Sequence, residues 1–453
     1  MLVVTLNYKQ KKNMEAILIK ALQFFASLSL LVMIHEFGHY ITARIFKIRV
    51  EKFYIFFNPW FTLYKRKFGE TEYGIGWLPL GGYVSLSGMI DESMNTEQMK
   101  QEPQPWEFRT KPAWQRLIVM LAGIIMNVLF AMFIYSMILF SWGEKYYHND
   151  DIAYGYKFNE KAKTLGFEDG DKIVSIDGDK IGNIIDIRKR LIIADQDRNV
   201  TIEREGKQQT INIALEELVA MREDGSILDF YDILTPFNIE SVSLPSAEEA
   251  GLMAGDQIIA IGDTEVRDFI HGRELLDAYK GRNAEVDIVR NGCDTLRLSV
   301  AINEEAQMGV FVKFIEPRTA EYGFFESIPA GIKRGCEELA SYWKQLKMIV
   351  NPETKSYKEV GGFIAIGSIF PDTWNWQSFW ALTAFISIAL AIMNLLPIPG
   401  LDGGHALFTL WEIITRRKPS DKFLEIMQYI GLGLLLLLLV YANGNDIIKL
   451  FIK

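Results

Sequence analysis

Three stretches of this chain, residues 117–143, 373–401 and 426–445, contain no charged residue. Crossing the hydrocarbon core of a bilayer takes about 20 consecutive apolar residues, and each stretch reaches that length. A fourth, from Ala16 to Ile34, carries only Lys20 as a charge and keeps helical character to about Phe46. Lys9, Lys11 and Lys12 precede it as they would a signal peptide, but no small-x-small cleavage site follows its apolar part, so a retained anchor is expected. The pattern predicts an α-helical integral membrane protein with about four transmembrane helices, at 1–46, 113–143, 373–401 and 423–445.

Between the second and third spans the composition is that of an ordinary folded domain, and it contains an internal repeat. Ala162, Gly166, Phe167, Gly170, Asp171, Ile173 and Ile176 recur 85 residues later as Ala247, Gly251, Leu252, Gly255, Asp256, Ile258 and Ile261. Glycine turns feeding half-buried strands explain the spacing. The repeated pattern resembles PDZ domains of bacterial membrane and periplasmic proteases. That resemblance implies a tandem pair of α/β, mainly β, domains at 151–225 and 226–316. It places peptide-ligand loops at Gly166, Phe167, Gly251 and Leu252, where an extended chain would add to a sheet edge. A β-rich spacer that binds nothing is the alternative.

Charge bears on orientation. The 453 residues carry a net charge of −9, which removes nucleic-acid binding as the default. Residues 144–318 hold 35 acidic and 21 basic side chains, so the rest of the chain is net basic. Basic residues cluster at Arg44, Lys47, Arg49, Lys52 and Lys65 to Lys67, at Arg109, Lys111 and Arg116, and at Arg416 to Lys418 with Lys422. The positive-inside rule puts these segments in the cytoplasm and the repeat outside; Lys9, Lys11 and Lys12 argue the other way. Cys293 and Cys336 have no metal-type spacing and allow at most one disulfide.

At the end of the first span the chain reads His35, Glu36, Phe37, Gly38, His39. Histidines at i and i+4 lie on one helix face about 6 Å apart, so both can reach one zinc ion with the glutamate beside it as general base. A hydrolytic zinc site usually has a third protein ligand. Asp402, at the end of an uncharged stretch where a lone carboxylate is costly, is a candidate on the same membrane face. Pro397 and Pro399 break the helix before it, and Gly403 and Gly404 let backbone approach closely. His405 reads as a neighbour of this motif and not as a ligand.

An intramembrane His-Glu-x-x-His, together with Asn394, Pro397, Pro399, Leu401, Asp402, Gly403, Gly404 and His405 in the order Asn-x-x-Pro-x-Pro-x-Leu-Asp-Gly-Gly-His, resembles the site-2 protease family of intramembrane zinc metalloproteases. With a tandem PDZ pair between the second and third spans, the likeness is to members that regulate the bacterial envelope stress response. It extends through Leu78 to Val84, Asp91, Glu92 and Ile328 to Lys333. The resemblance implies that Zn²⁺ is held by His35, His39 and Asp402, that Glu36 is the catalytic base, and that Asn394 contacts substrate. Gly81, Gly82 and Tyr83 belong to a segment, 74–86, expected as a short membrane-associated β-hairpin that clamps an unwound substrate. Implied partners are transmembrane proteins resembling anti-sigma factors, signal-peptide remnants, an upstream site-1 protease and the lipid bilayer. The implied setting is a bacterial inner membrane, with the PDZ pair periplasmic and the active site towards the cytoplasm.

Two positions depart from the family pattern. Ile124 and Gly362 stand where relatives usually have proline. Two other readings stay open: a non-catalytic PDZ scaffold, and a membrane zinc protease for misfolded proteins that uses a glutamate as third ligand.

Overall fold

A computed structural model describes residues 2–79, 81–89 and 101–452; Asp91 and Glu92 lie outside them. The chain divides into two compact units, one formed by residues 1–144 and 321–453 and the other by 145–320.

The first unit is built on long helices. They are α1 (Leu2–Ile45), α2 (Ala113–Trp142), α3 (Phe324–Val350), α4 (Trp376–Leu395), α5 (Asp402–Thr415) and α6 (Asp421–Ile452). Four of these, α1, α2, α4 and α6, are long and apolar enough to cross a membrane. Their ends follow local chemistry. Asn375 caps α4 by accepting the Ser378 amide at 2.8 Å, and the helix stops at Leu395 because Pro397 cannot continue it. The third span is therefore shorter than the uncharged stretch 373–401. The remainder of that stretch forms a turn into α5, with Gly400 at φ +93°.

Lipid tails give little apolar drive for helices to associate, so close backbone approach at small residues takes its place. A Cβ on Gly38 of α1 would lie 2.5 Å from the Ala122 carbonyl oxygen of α2. Gly331 of α3 similarly admits Ser136 of α2. Ile124 leaves α2 unbroken where a proline would interrupt it. At the other departure, Asp446 of α6 accepts the Gly362 and Ala365 amides at 3.0 and 2.9 Å, capping the short helix Phe363–Ser368.

The segment after α1 forms a four-stranded sheet and not the expected hairpin over 74–86. Its strands are β1 (Val50–Tyr54), β2 (Tyr64–Phe68), β3 (Thr71–Ile75) and β4 (Tyr83–Leu86), ordered β2-β3-β1-β4. The hairpin is β2–β3, closed by Gly69 at φ +62° with Glu70. Strand β1 separates β3 from β4, pairing parallel with the first and antiparallel with the second.

The second unit holds the repeat. Each copy has a four-stranded antiparallel sheet and its own apolar core, one around Phe167, Ile173, Ile176 and Phe230, the other around Leu252, Ile258, Ile261 and Val286. The first copy runs past the expected limit at 225, because Tyr231–Ile233 pairs with Tyr156–Phe158 and Phe230 lies in its core.

The expected ligand loops do different work. Gly166 at φ +103° and Gly251 at φ +86° each end a one-turn helix. The Phe167 and Leu252 amides donate back to the Ala162 and Ala247 carbonyls at 3.3 and 3.1 Å. This is the Schellman arrangement, and it buries both apolar side chains. With their N–H groups committed to helix carbonyls, Gly166, Phe167, Gly251 and Leu252 cannot cradle a carboxylate terminus.

The Gly-Asp step that follows is a structural staple. Asp171 and Asp256 are 1% exposed and are held by Arg204 and Arg290 at 2.7 Å. The same arginines donate to the Gly166 and Gly251 carbonyls. Burial alone would raise the Asp256 carboxyl, but the Arg290 guanidinium and the Met253 amide hold it below its ordinary value of 3.8. A lowered folded-state value contributes stability above pH 3.8 that is lost as pH falls through that value. Arg290→Met is expected to destabilise this unit. The cost should stay below the about 3–5 kcal/mol of breaking a fully buried pair, because Arg290 keeps 23% exposure. Urea unfolding of the full chain in detergent reads the loss. The difference between parent and variant should shrink as the pH falls, since Asp256 protonates first in the variant and then in the parent, once the pH passes below its lowered folded-state value.

Candidate active site

His35, Glu36 and His39 lie on the last turns of α1, and Asp402 opens α5. Gly403 and Gly404 let the start of α5 sit directly on the carbonyls of the turn from Leu395 to Ile398, where any Cβ would collide. Arg116 of α2 then holds the far end of α5 through Glu412 at 2.5 Å.

These constraints bring three donor atoms together. His35 Nε2 lies 3.0 Å from Asp402 Oδ2, His39 Nε2 lies 3.2 Å from the same oxygen, and the two Nε2 atoms are 3.2 Å apart. Among the described residues this is the one cluster of histidine, cysteine and carboxylate ligands able to hold a metal ion. Zinc bonds of about 2.0–2.1 Å place tetrahedral ligands about 3.3 Å apart. The observed triangle is within a few tenths of an ångström of that spacing, and two imidazoles with one carboxylate are a zinc donor set. The residues therefore fit the ion.

Both imidazoles also have partners behind them. His39 Nδ1 lies 2.8 Å from the Val119 carbonyl, which directs Nε2 into the triangle. Asn127 sits 3.3 Å from His35 Nδ1. Gly123 makes this possible, since a Cβ there would stand 2.5 Å from His39 Nε2.

The triangle opens into a cavity of about 240 Å³. Glu36, Asn394, Gly81, Gly82 and Tyr83 all line it, so every residue expected from the motifs of this unit converges on one place. His405 lines it too, together with Gln428 of α6. No motif signalled Gln428; it is a polar residue held 7% exposed within an apolar helix. Phe57 and Met120 of the wall were equally unmarked, because an apolar lining residue reads as ordinary core. Tyr83 stacks on Tyr54 with ring centroids 5.2 Å apart, and β4 presents the free edge of its sheet with Tyr83, Val84 and Leu86 at the cavity.

The sequence matches the family model "Peptidase family M50" over residues 23–438. A Vibrio cholerae protein named as a zinc metalloprotease is 28% identical, with 96% of this chain and all of the relative aligned. The Haemophilus influenzae protein named "Regulator of sigma E protease" is also 28% identical, over 94% of this chain and 98% of its own length. A similarly named metalloprotease of Xylella fastidiosa matches at 28% over 94% of this chain and 99% of the relative. A family match across most of the chain, relatives aligned nearly end to end and four bilayer-length helices place this chain in peptidase family M50, the site-2 proteases, as a membrane zinc metalloprotease.

Proposed function

We propose that the chain is an intramembrane endopeptidase that cuts within the transmembrane segments of single-span membrane proteins. The observation that carries this reading is the donor triangle of His35, His39 and Asp402, with Glu36 on the same cavity and with His35, Glu36 and His39 on a helix of bilayer length. His35, His39 and Asp402 hold the zinc ion and Glu36 is the base. When bound, Zn²⁺ acidifies water and polarises the scissile carbonyl. Glu36 takes the proton from the attacking water on its carboxylate and passes it to the leaving amine.

A peptide bond in a helical span is protected, because its carbonyl is hydrogen-bonded within the helix and water is scarce. Cleavage needs an unwound substrate. The open edge of β4 at the cavity supports docking of such a segment as an added strand, with Gly81 and Gly82 allowing close approach and Asn394 contacting its backbone. The repeat unit has PDZ identity and lies outside a bacterial inner membrane, with the active site towards the cytoplasm. The charge bias of the loops supports that orientation. A relative named for sigma E regulation supports an anti-sigma-factor-like substrate, cut first by a site-1 protease.

Because the Gly-aliphatic amides of both copies are spent on helix carbonyls, the repeat acts as a size filter in preference to a carboxylate dock. Mass spectrometry of products from a single-span substrate should find new termini inside the span. Deleting 151–316 should make untrimmed substrate cleavable. Cuts confined to residues outside the span would overturn the intramembrane reading. Slower cleavage of trimmed substrate after the deletion would overturn the filter in favour of docking.

A further inference from the structure

One stripe of α2 forms the outer side of the donor triangle. Val119, Gly123 and Asn127 are spaced four residues apart and so share a helix face. Val119 supplies the carbonyl for His39, and Gly123 supplies the room. Asn127 is 0% exposed, and its side-chain amide faces His35 Nδ1 at 3.3 Å.

The polar atoms at this contact point to a role. With Nδ2 turned to the ring, Asn127 Oδ1 is buried with no partner among the described residues. An imidazole that offers its Nε2 lone pair to a metal carries its proton on Nδ1 and has to donate it. Oxygen and nitrogen of a carboxamide exchange places by a half-turn with almost no change of shape. That half-turn sets Oδ1 against the Nδ1–H of His35 and gives the orphaned acceptor a donor. The residue is also anchored on its backbone, since Ser387 Oγ of α4 donates to the Asn127 carbonyl at 2.8 Å.

We propose that Asn127 is the positioning residue for His35. Its Oδ1 accepts the Nδ1–H, selects the tautomer and aims Nε2 at the zinc. This inference rests on the ligand set proposed above, and its test separates the two. Zinc affinity is measured by chelator competition on the full chain in detergent, for the parent and for N127L, N127D and D402A. N127L keeps the branching at Cγ, in a somewhat larger side chain, but removes the acceptor, and should weaken zinc binding by about 10–100-fold, the usual cost of losing such a partner. N127D restores an acceptor of the same shape and should bind within about threefold of the parent. A role in packing alone predicts the reverse order, because leucine suits an apolar helix contact and a buried carboxylate does not. N127L with parental affinity, or N127D as weak as N127L, overturns the proposal for Asn127. D402A with parental affinity overturns the ligand set itself.

Discussion

Glu36→Gln is expected to lower kcat by on the order of 10²–10⁴-fold, the range that general base catalysis supplies, with little change in KM. Glutamine has the size of glutamate but cannot take a proton. Glu36 lies beside the donor triangle on the cavity wall and is not one of its three members, so the substitution leaves the donors alone. The planar carboxamide also has nearly the shape of the carboxylate it replaces. The wall should therefore keep its shape. Turnover of a transmembrane reporter measures the effect; activity within about threefold of the parent would remove Glu36 from the role of base.

Asp402→Ala should cost more than activity. Both histidines lean on Asp402 Oδ2, at 3.0 and 3.2 Å, and alanine leaves two imidazoles where a closed triangle stood. Losing a partner of a ligand costs about 10–100-fold in affinity, and losing the ligand itself should exceed that. The variant should emerge from purification without zinc and without peptidase activity. The fold should persist, because the start of α5 is set by Gly403 and Gly404 against the preceding carbonyls and its end by Arg116 with Glu412.

Where motif and chemistry coincide, the candidate site is legible in the sequence. His35 and His39 are spaced for one helix face, and Asp402 is a carboxylate that an apolar run makes costly unless it is used. What is not legible there is set by tertiary contacts with no local signature. Asn127 looks like a tolerated polar residue in a span until α1 places His35 against it. Gln428 gains meaning only when α6 reaches the cavity. In the sheet, Gly81 and Gly82 drew a hairpin that Gly69 and Glu70 form instead, because two glycines allow close approach as readily as a turn. The Gly-aliphatic pair of the repeat is ambiguous for a related reason. A positive-φ glycine after a short helix serves a ligand loop or a C-cap equally well, and the two differ only in where the next amide points.

In the proposed arrangement His35, His39 and Asp402 hold one zinc ion, for which Glu36 is the base and not a ligand. Metal analysis of detergent-purified parent, Asp402→Ala and Glu36→Gln proteins tests it directly. About one zinc per chain is expected in the parent and in Glu36→Gln, and almost none in Asp402→Ala. Zinc retained in Asp402→Ala, or lost in Glu36→Gln, would contradict it.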